Sequence, residues 1–269
     1  MLKQRHNVNI QGAGDRTLVF AHGYGCDQNM WRPVADGLVN DYRTVLFDYV
    51  GFGGSDLSAY DSEHYANLDA YAQDVVNLGR ELSLTNAVFV GHSVSSMIGA
   101  LACTAAPDMF SDIIMVGPSP YYLSDDTYSG GFTHVQIDEM LEFLDANHFG
   151  WSEAMAPQIM GNSDRPELGQ QLTKSFCATD PQVAQDFARV TFLSDTRDIL
   201  PNVQTRSLVL QCRDDIIAPE SVGKYVHDKL PNSVFRLLDA TGHCPNLSAP
   251  DEVIAAIRDF LLDDLAHDE

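Results

Sequence analysis

The chain has 269 residues, 45% hydrophobic and 20% charged, with 38 Asp and Glu against 16 Lys and Arg and a formal net charge of −22. This is long and apolar enough to bury a sizeable core, and one large α/β domain is preferred to two small ones. The acid excess excludes nucleic acid and anionic membrane surfaces as partners, since both require a basic patch, and it fits a solvated acidic surface.

The opening stretch "MLKQRHNVNIQGAG" lacks the apolar core of a secretory signal. No run reaches the ~20 apolar residues of a spanning helix, so a cytoplasmic location is expected. Cys26, Cys103, Cys177, Cys212 and Cys244 are scattered without C-x-x-C spacing. Neither a disulfide framework nor a structural zinc site is expected of them, and most read as small buried hydrophobes in a reducing compartment.

Taken in chain order, a pair of short strands is predicted around "QRHNVNIQG". The runs "TLVFAHG" and "RTVLFDYVG" read as strands, a helical period covers Leu68 to Leu82, and "NAVFVGHS" and "DIIMVGPSP" read as two further strands. From about Pro120 to Pro201 the alternation stops. That segment reads as several short helices, either a separate helical domain or an inserted lid, and the return of strands at "SLVLQCRDD" and "VFRLLDA" favours the lid. A last helical period covers Asp251 to Leu265. Strands alternating with helices imply a mostly parallel sheet covered on both faces, with ligands beyond the carboxyl ends of its strands. The core is expected at residues 1–119 and 202–269, and the lid at 120–201.

The residues just after each strand carry the chemistry. Ser93 ends one strand and opens a helix, with Gly91 two before it and the small Ser95 two after, which is the pattern of a nucleophile elbow. Alone, this string also fits a serine that merely caps a helix. A serine hydroxyl needs a base to take its proton and a third group to fix that base. Asp214 and Asp215 follow "SLVLQC", and His243 follows "VFRLLDA" in a glycine-flanked loop, giving the order serine, acid, base. Asp215, immediately before the apolar "IIAP" turn, is preferred to Asp214. The oxyanion donors expected are the amides of Val94, after the nucleophile, and Tyr24, in the "HGYG" loop. His22 reads as a hydrogen-bonding residue of that loop, and His92 as lining the site.

Beyond the elbow, the stretches "HGYGCDQNMW", "FDYVGFGGSD", "VGHSVSSMIGALA", "FLSDTRDILP", "LVLQCRDDIIAP" and "GHCPNLSAPDEV" span nearly the whole chain. Through them the sequence resembles the α/β-hydrolase superfamily, in particular the RsbQ-like branch related to the plant strigolactone and karrikin receptor hydrolases. The Gly-His-Ser-Val-Ser elbow occurs in that branch, whereas Tyr24 stands where many members carry Phe. The resemblance implies a mostly parallel eight-stranded sheet flanked by helices, with a four-helix lid over a deep apolar pocket. It implies the triad Ser93, Asp215 and His243, the oxyanion amides of Tyr24 and Val94, and a pocket wall of Tyr24, His92, Tyr122, Phe132, Met140, Trp151, Met155, Phe192 and Ile217.

Two functions follow as expectations. One is a serine hydrolase acting on a small apolar ester, lactone or butenolide-type molecule. The other, resting on the resemblance, is a ligand-sensing hydrolase with slow turnover that acts through a regulatory partner, for which a PAS-containing protein is the candidate. No cofactor or metal is expected. The nine histidines are dispersed, "GFGGSD" lacks dinucleotide-binding spacing, and Ser93 stands where a haloalkane dehalogenase would carry Asp.

Overall fold

The structure is a computed structural model that describes residues 1–265. Among them, seven strands form one sheet: β1 (Asn9–Gln11), β2 (Thr17–Ala21), β3 (Arg43–Leu46), β4 (Ala87–His92), β5 (Phe110–Val116), β6 (Arg206–Asp214) and β7 (Ser233–Thr241). Their spatial order is β1-β3-β2-β4-β5-β6-β7, with β1 antiparallel to β3 and every other pair parallel. β2 and β4 are buried along their whole length. Sheets covered on both faces need such unbroken apolar runs, which is why "TLVF" and "AVFV" carry no alternation.

The expected eight-stranded sheet is corrected to seven strands among the described residues, and the difference lies at the amino end. Instead of a strand pair, that stretch forms a short helix, α1 (Leu2–Arg5), followed by the single strand β1. The Glu81 carboxylate accepts the amides of Leu2 and Lys3 at 2.7 and 3.1 Å, satisfying donors a helix start leaves free. Beyond this helix, the three residues Asn9–Gln11 pair with β3.

Six helices complete the sheet domain: α2 (Arg32–Leu38), α3 (Leu68–Glu81) and α4 (Val94–Ala105), then, beyond the insertion, α9 (Glu220–Lys229), α10 (Pro245–Ser248) and α11 (Pro250–Leu265). Between β5 and β6 come four more: α5 (His134–Ala146), α6 (His148–Met160), α7 (Pro166–Ala178) and α8 (Pro181–Leu193). Local sequence starts each of these four. Thr133 and Gln136 form a capping box for α5, Asn147 caps α6, Pro166 opens α7, and Asp180 caps α8 ahead of Pro181. Among the described residues, no helix is long and apolar enough to cross a membrane.

The order β3-β2-β4 means that the chain lays β3 on one side of β2 and then returns to place β4 on the other. The crevice of such a sheet opens at that reversal, beyond the carboxyl ends of β2 and β4. Ala21 pairs with Gly91 there, so the loop after β2 and the residues after β4 emerge side by side.

Candidate active site

Ser93 stands at this reversal, between β4 and α4, with φ 56° and ψ −124°. A non-glycine residue held in that region costs about 1–3 kcal/mol and needs its surroundings to enforce it. Here the Ser93 amide donates to Val116 O at the end of β5 at 2.8 Å, and Ser96 N donates to Ser93 O at 2.9 Å. The turn between strand and helix is thus pinned on both sides, and the side chain is buried at the base of a cavity.

His243 follows β7, and its Nε2 lies 2.8 Å from Ser93 Oγ. Its Nδ1 lies 2.7 Å from Asp215 Oδ2, just beyond β6. A carboxylate facing Nδ1 fixes the ring proton there, which leaves Nε2 free to accept the serine proton. Burial alone would raise the Asp215 carboxyl. The charge and hydrogen bond of His243, with the Ala218 and Ile217 amides at 3.1 and 2.8 Å, outweigh burial and hold it below the usual carboxylate range.

The amides expected to stabilise an oxyanion are placed by the same two loops. Val94 N opens α4, where a helix leaves its amides unpaired, and among the described residues neither Val94 N nor Tyr24 N donates to a protein acceptor. The loop carrying Tyr24 presses on the elbow: a Cβ built on Gly23 would lie 2.4 Å from His92 Nδ1 and 3.3 Å from Ser93 Cβ. His22 braces this loop, Nδ1 contacting Gly23 O at 2.9 Å while Nε2 accepts Tyr49 N at 3.2 Å. Ser95 ties it to the elbow, its Oγ donating to His22 O and lying 2.9 Å from Tyr49 OH. A glycine at 95 could make neither bond, which gives the serine of this elbow a physical reason.

His92 braces the His243 loop as well as lining the cavity. Its Nε2 donates to His243 O at 2.7 Å, fixing the backbone of His243 from behind. Burial, with the neighbouring His243 second, pulls its pKa down to about 3, so the ring is neutral. The His243 loop is held from the insertion as well. His243 N donates to Ile159 O at 2.9 Å, Asn162 Nδ2 donates to Thr241 O at 2.8 Å, and Arg165 donates to Ser248 O at 2.7 Å. Gly242, at φ +86°, is required where it stands, because a Cβ there would meet Met160 O at 1.9 Å.

The cavity against Ser93 is narrow, about 30 Å³, and is walled by both halves of the molecule. A larger outer groove of about 770 Å³ runs along α6 and α7, and its walls include none of Ser93, Asp215 and His243. Among the described residues, no three His, Cys, Asp or Glu side chains gather as a metal site.

Residues 18–256 match the alpha/beta hydrolase family. The chain is 35% identical to the Karrikin insensitive 2 receptor CA of Petunia hybrida, over 99% of both chains. It is 34% identical to the Strigolactone esterase D14 of Arabidopsis thaliana, over 94% of each. A solved hydrolase from Oleispira antarctica superposes with a TM-score of 0.95 at 40% identity, covering 97% of this chain and 96% of that one. The chain belongs to the alpha/beta hydrolase family.

In this alpha/beta hydrolase the expected pocket residues divide into four groups. Tyr24, His92, Phe192 and Ile217 line the cavity beside Ser93 and His243. Tyr122 touches the serine directly, its hydroxyl 3.4 Å from Oγ and its ring edge-on to Phe192 at 5.0 Å. Trp151 sits one layer back, stacked on Phe176 at 5.7 Å and edge-on to Tyr24 at 5.8 Å. Phe132, Met140 and Met155 lie outside the lining, as half-buried residues packed on the core.

The residues that sequence reading did not assign to the wall are Cys26, Ile159, Leu172, Phe176, Thr191 and Cys244. Leu172 and Phe176 do leave a signal, one buried turn apart on α7. That spacing identifies a buried stripe and leaves open what the stripe faces.

Proposed function

We propose that the chain is a serine hydrolase that opens a small apolar ester, lactone or butenolide-type molecule through Ser93, His243 and Asp215. What carries this reading is the continuous relay from Asp215 Oδ2 through His243 to Ser93 Oγ, with contacts of 2.7 and 2.8 Å, at the floor of a cavity. In the first half of the reaction Nε2 takes the Oγ proton as Oγ bonds to the substrate carbonyl carbon. The resulting oxyanion is received by the amides of Val94 and Tyr24. The intermediate collapses by breaking the bond to the leaving oxygen, which takes the proton from Nε2. Water then repeats the sequence on the acyl-serine and releases the acid. Asp215 remains ionised and holds the imidazolium in place. Residues 120–201 act as the lid over this chemistry.

A second reading is favoured by the size of the cavity. The cavity is narrow, about 30 Å³, and its wall is bonded to the His243 loop through Ile159 O and His243 N, so a ligand that shifts this wall also shifts that loop. In this reading hydrolysis is slow and the displaced lid signals to a regulatory protein, with a PAS-containing partner as the candidate.

One experiment separates these readings from failure of both. Ser93→Ala is expected to lower hydrolysis of a nitrophenyl ester by at least ~10⁴-fold while its melting temperature stays near that of the parent. A Ser93→Ala chain that kept its rate would overturn both readings. For the parent chain, sustained turnover under excess substrate supports the enzyme, and a single burst that stalls supports the sensor.

A further inference from the structure

Around Ser93 and His243 the cavity wall is almost wholly apolar or already bonded. The Tyr24 hydroxyl donates to Ala184 O at 3.1 Å. Burial pushes the Cys26 thiol up to about 12 and that of Cys244 well above its ordinary value, so both stay protonated and are weak donors. Two polar atoms of the wall are the exceptions: His92 Nδ1, a ring nitrogen without a partner among the described residues, and the hydroxyl of Thr191. Thr191 lies on α8, 3% exposed, it lines the cavity, and its Oγ1 has no hydrogen-bond partner among the described residues.

A hydroxyl inside a helix ordinarily turns back to the carbonyl four residues earlier. In this molecule Ser194 does so to Val190 at 2.5 Å, Thr173 to Gly169 at 2.9 Å, Thr104 to Ala100 at 2.9 Å and Ser152 to His148 at 2.8 Å. Thr191 makes no such bond to Phe187. A buried hydroxyl left without a partner destabilises the protein, whereas a valine of the same shape would fill the place at no such cost. The position therefore holds a donor ready for something that enters the cavity.

We propose that Thr191 is a specificity-determining residue whose hydroxyl donates to a second oxygen of the substrate, an ether or ring oxygen. The site would then prefer oxygenated acyl groups and oxygen heterocycles to their hydrocarbon isosteres. An ether or ring oxygen can only accept, so it takes the Thr191 proton without bringing a further donor into the wall. A site built around such a bond rejects the analogue that lacks it. The inference rests on the Ser93 hydrolase reading and adds a substrate feature to it.

The test compares nitrophenyl esters in which one methylene is exchanged for oxygen: methoxyacetate with butyrate, and 3-methoxypropanoate with pentanoate. For each pair the ratio of kcat/KM, oxygenated over hydrocarbon, is measured in the parent chain, Thr191→Val and Thr191→Ser. Intrinsic reactivity cancels between proteins. In at least one pair the ratio is expected to fall about 10-fold in Thr191→Val and to stay within about 2-fold in Thr191→Ser. The melting temperature of unliganded Thr191→Val is expected to be unchanged or raised, since no bond is lost. Ratios that move by less than about 2-fold in both pairs would overturn the proposal, as would a lowered melting temperature with both members of each pair affected alike. A parent chain inert to every ester would count against the hydrolase reading and still leave Thr191 decidable. In Ser93→Ala, δ-valerolactone should raise the melting temperature more than cyclohexanone, and adding Thr191→Val should abolish that difference. Equal shifts from the two ligands would overturn the proposal independently of turnover.

Discussion

The sheet and the helical insertion meet across one cavity, and they position their side chains by different means. On the sheet side, ladder register aligns the strand ends. Ala21 pairs with Gly91 and Asp214 with Thr241, so Ser93, Asp215 and His243 each stand one or two residues beyond a fixed point. On the insertion side Leu172, Phe176, Thr191 and Phe192 are placed by helix packing and ring contacts, such as Phe176 stacked on Trp151. Polar bonds that cross between the halves include His243 N to Ile159 O, Asn162 to Thr241 O, Arg165 to Ser248 O, Tyr24 OH to Ala184 O, Ser175 Oγ to Gly25 O at 3.0 Å, and Tyr60 OH and Ser62 Oγ to Asp186. Reacting atoms held by backbone pairing can stay put while the opposite wall changes. A fold divided this way can keep one chemistry and alter its substrate.

The largest break of this division is expected on the sheet side. Asp215→Asn keeps the shape of the site and removes the carboxylate that fixes the His243 proton on Nδ1, so kcat should fall roughly 10⁴-fold with KM little changed. Steady-state kinetics on a nitrophenyl ester measure this, and a loss smaller than about 10-fold would show that Asp215 does not orient the base.

Phe176→Ala strikes the insertion and should give the opposite pattern. Removing a buried ring is expected to cost about 3–5 kcal/mol of stability, read from denaturant unfolding. The widened cavity should raise kcat/KM for long acyl chains relative to acetate. If the chain-length profile stayed as in the parent, α7 would not form the substrate-facing wall.

The smallest effect sharpens the comparison from beneath the site, through pH. His92 is neutral in the fold with a pKa near 3, whereas the unfolded chain binds its proton below the ordinary value of 6.5. Stability is therefore complete above that value and is lost as pH falls. His92 alone should contribute a loss of about 2 kcal/mol by pH 5. Burial lowers the His22 and His6 pKa values too, so their effects have the same sign. Denaturant midpoints at pH 7 and 5 test the trend, and a His92 proton NMR signal that titrated near pH 6.5 would refute its cause.

The elements most legible in the sequence are those whose signal is local. The runs "TLVFAHG" and "NAVFVGHS" announce buried strands that end in turns, and the helices expected at Leu68 and Asp251 begin within one residue of where they are found. At the amino end the same reasoning misplaced a strand pair, because three paired residues and a four-residue helix are too short to leave a period. In the sequence Ser95 read only as a small residue that the elbow admits. Its bonds to His22 and Tyr49 depend on neighbours more than forty positions away.

What the sequence determined by itself was the layered α/β order, the strand-end positions of Ser93, Asp215 and His243, and the break in alternation that marks the helical insertion. These follow from apolar runs and turn residues, which act over a few positions. Only the tertiary structure decided that Trp151 stands behind Phe176, that Met140 and Met155 lie outside the cavity wall, and that Thr191 lines the cavity with a hydroxyl that has no partner among the described residues. An amphipathic helix announces which face is buried, but what that face meets is set by the crossing of four helices over a sheet, and no local period encodes it.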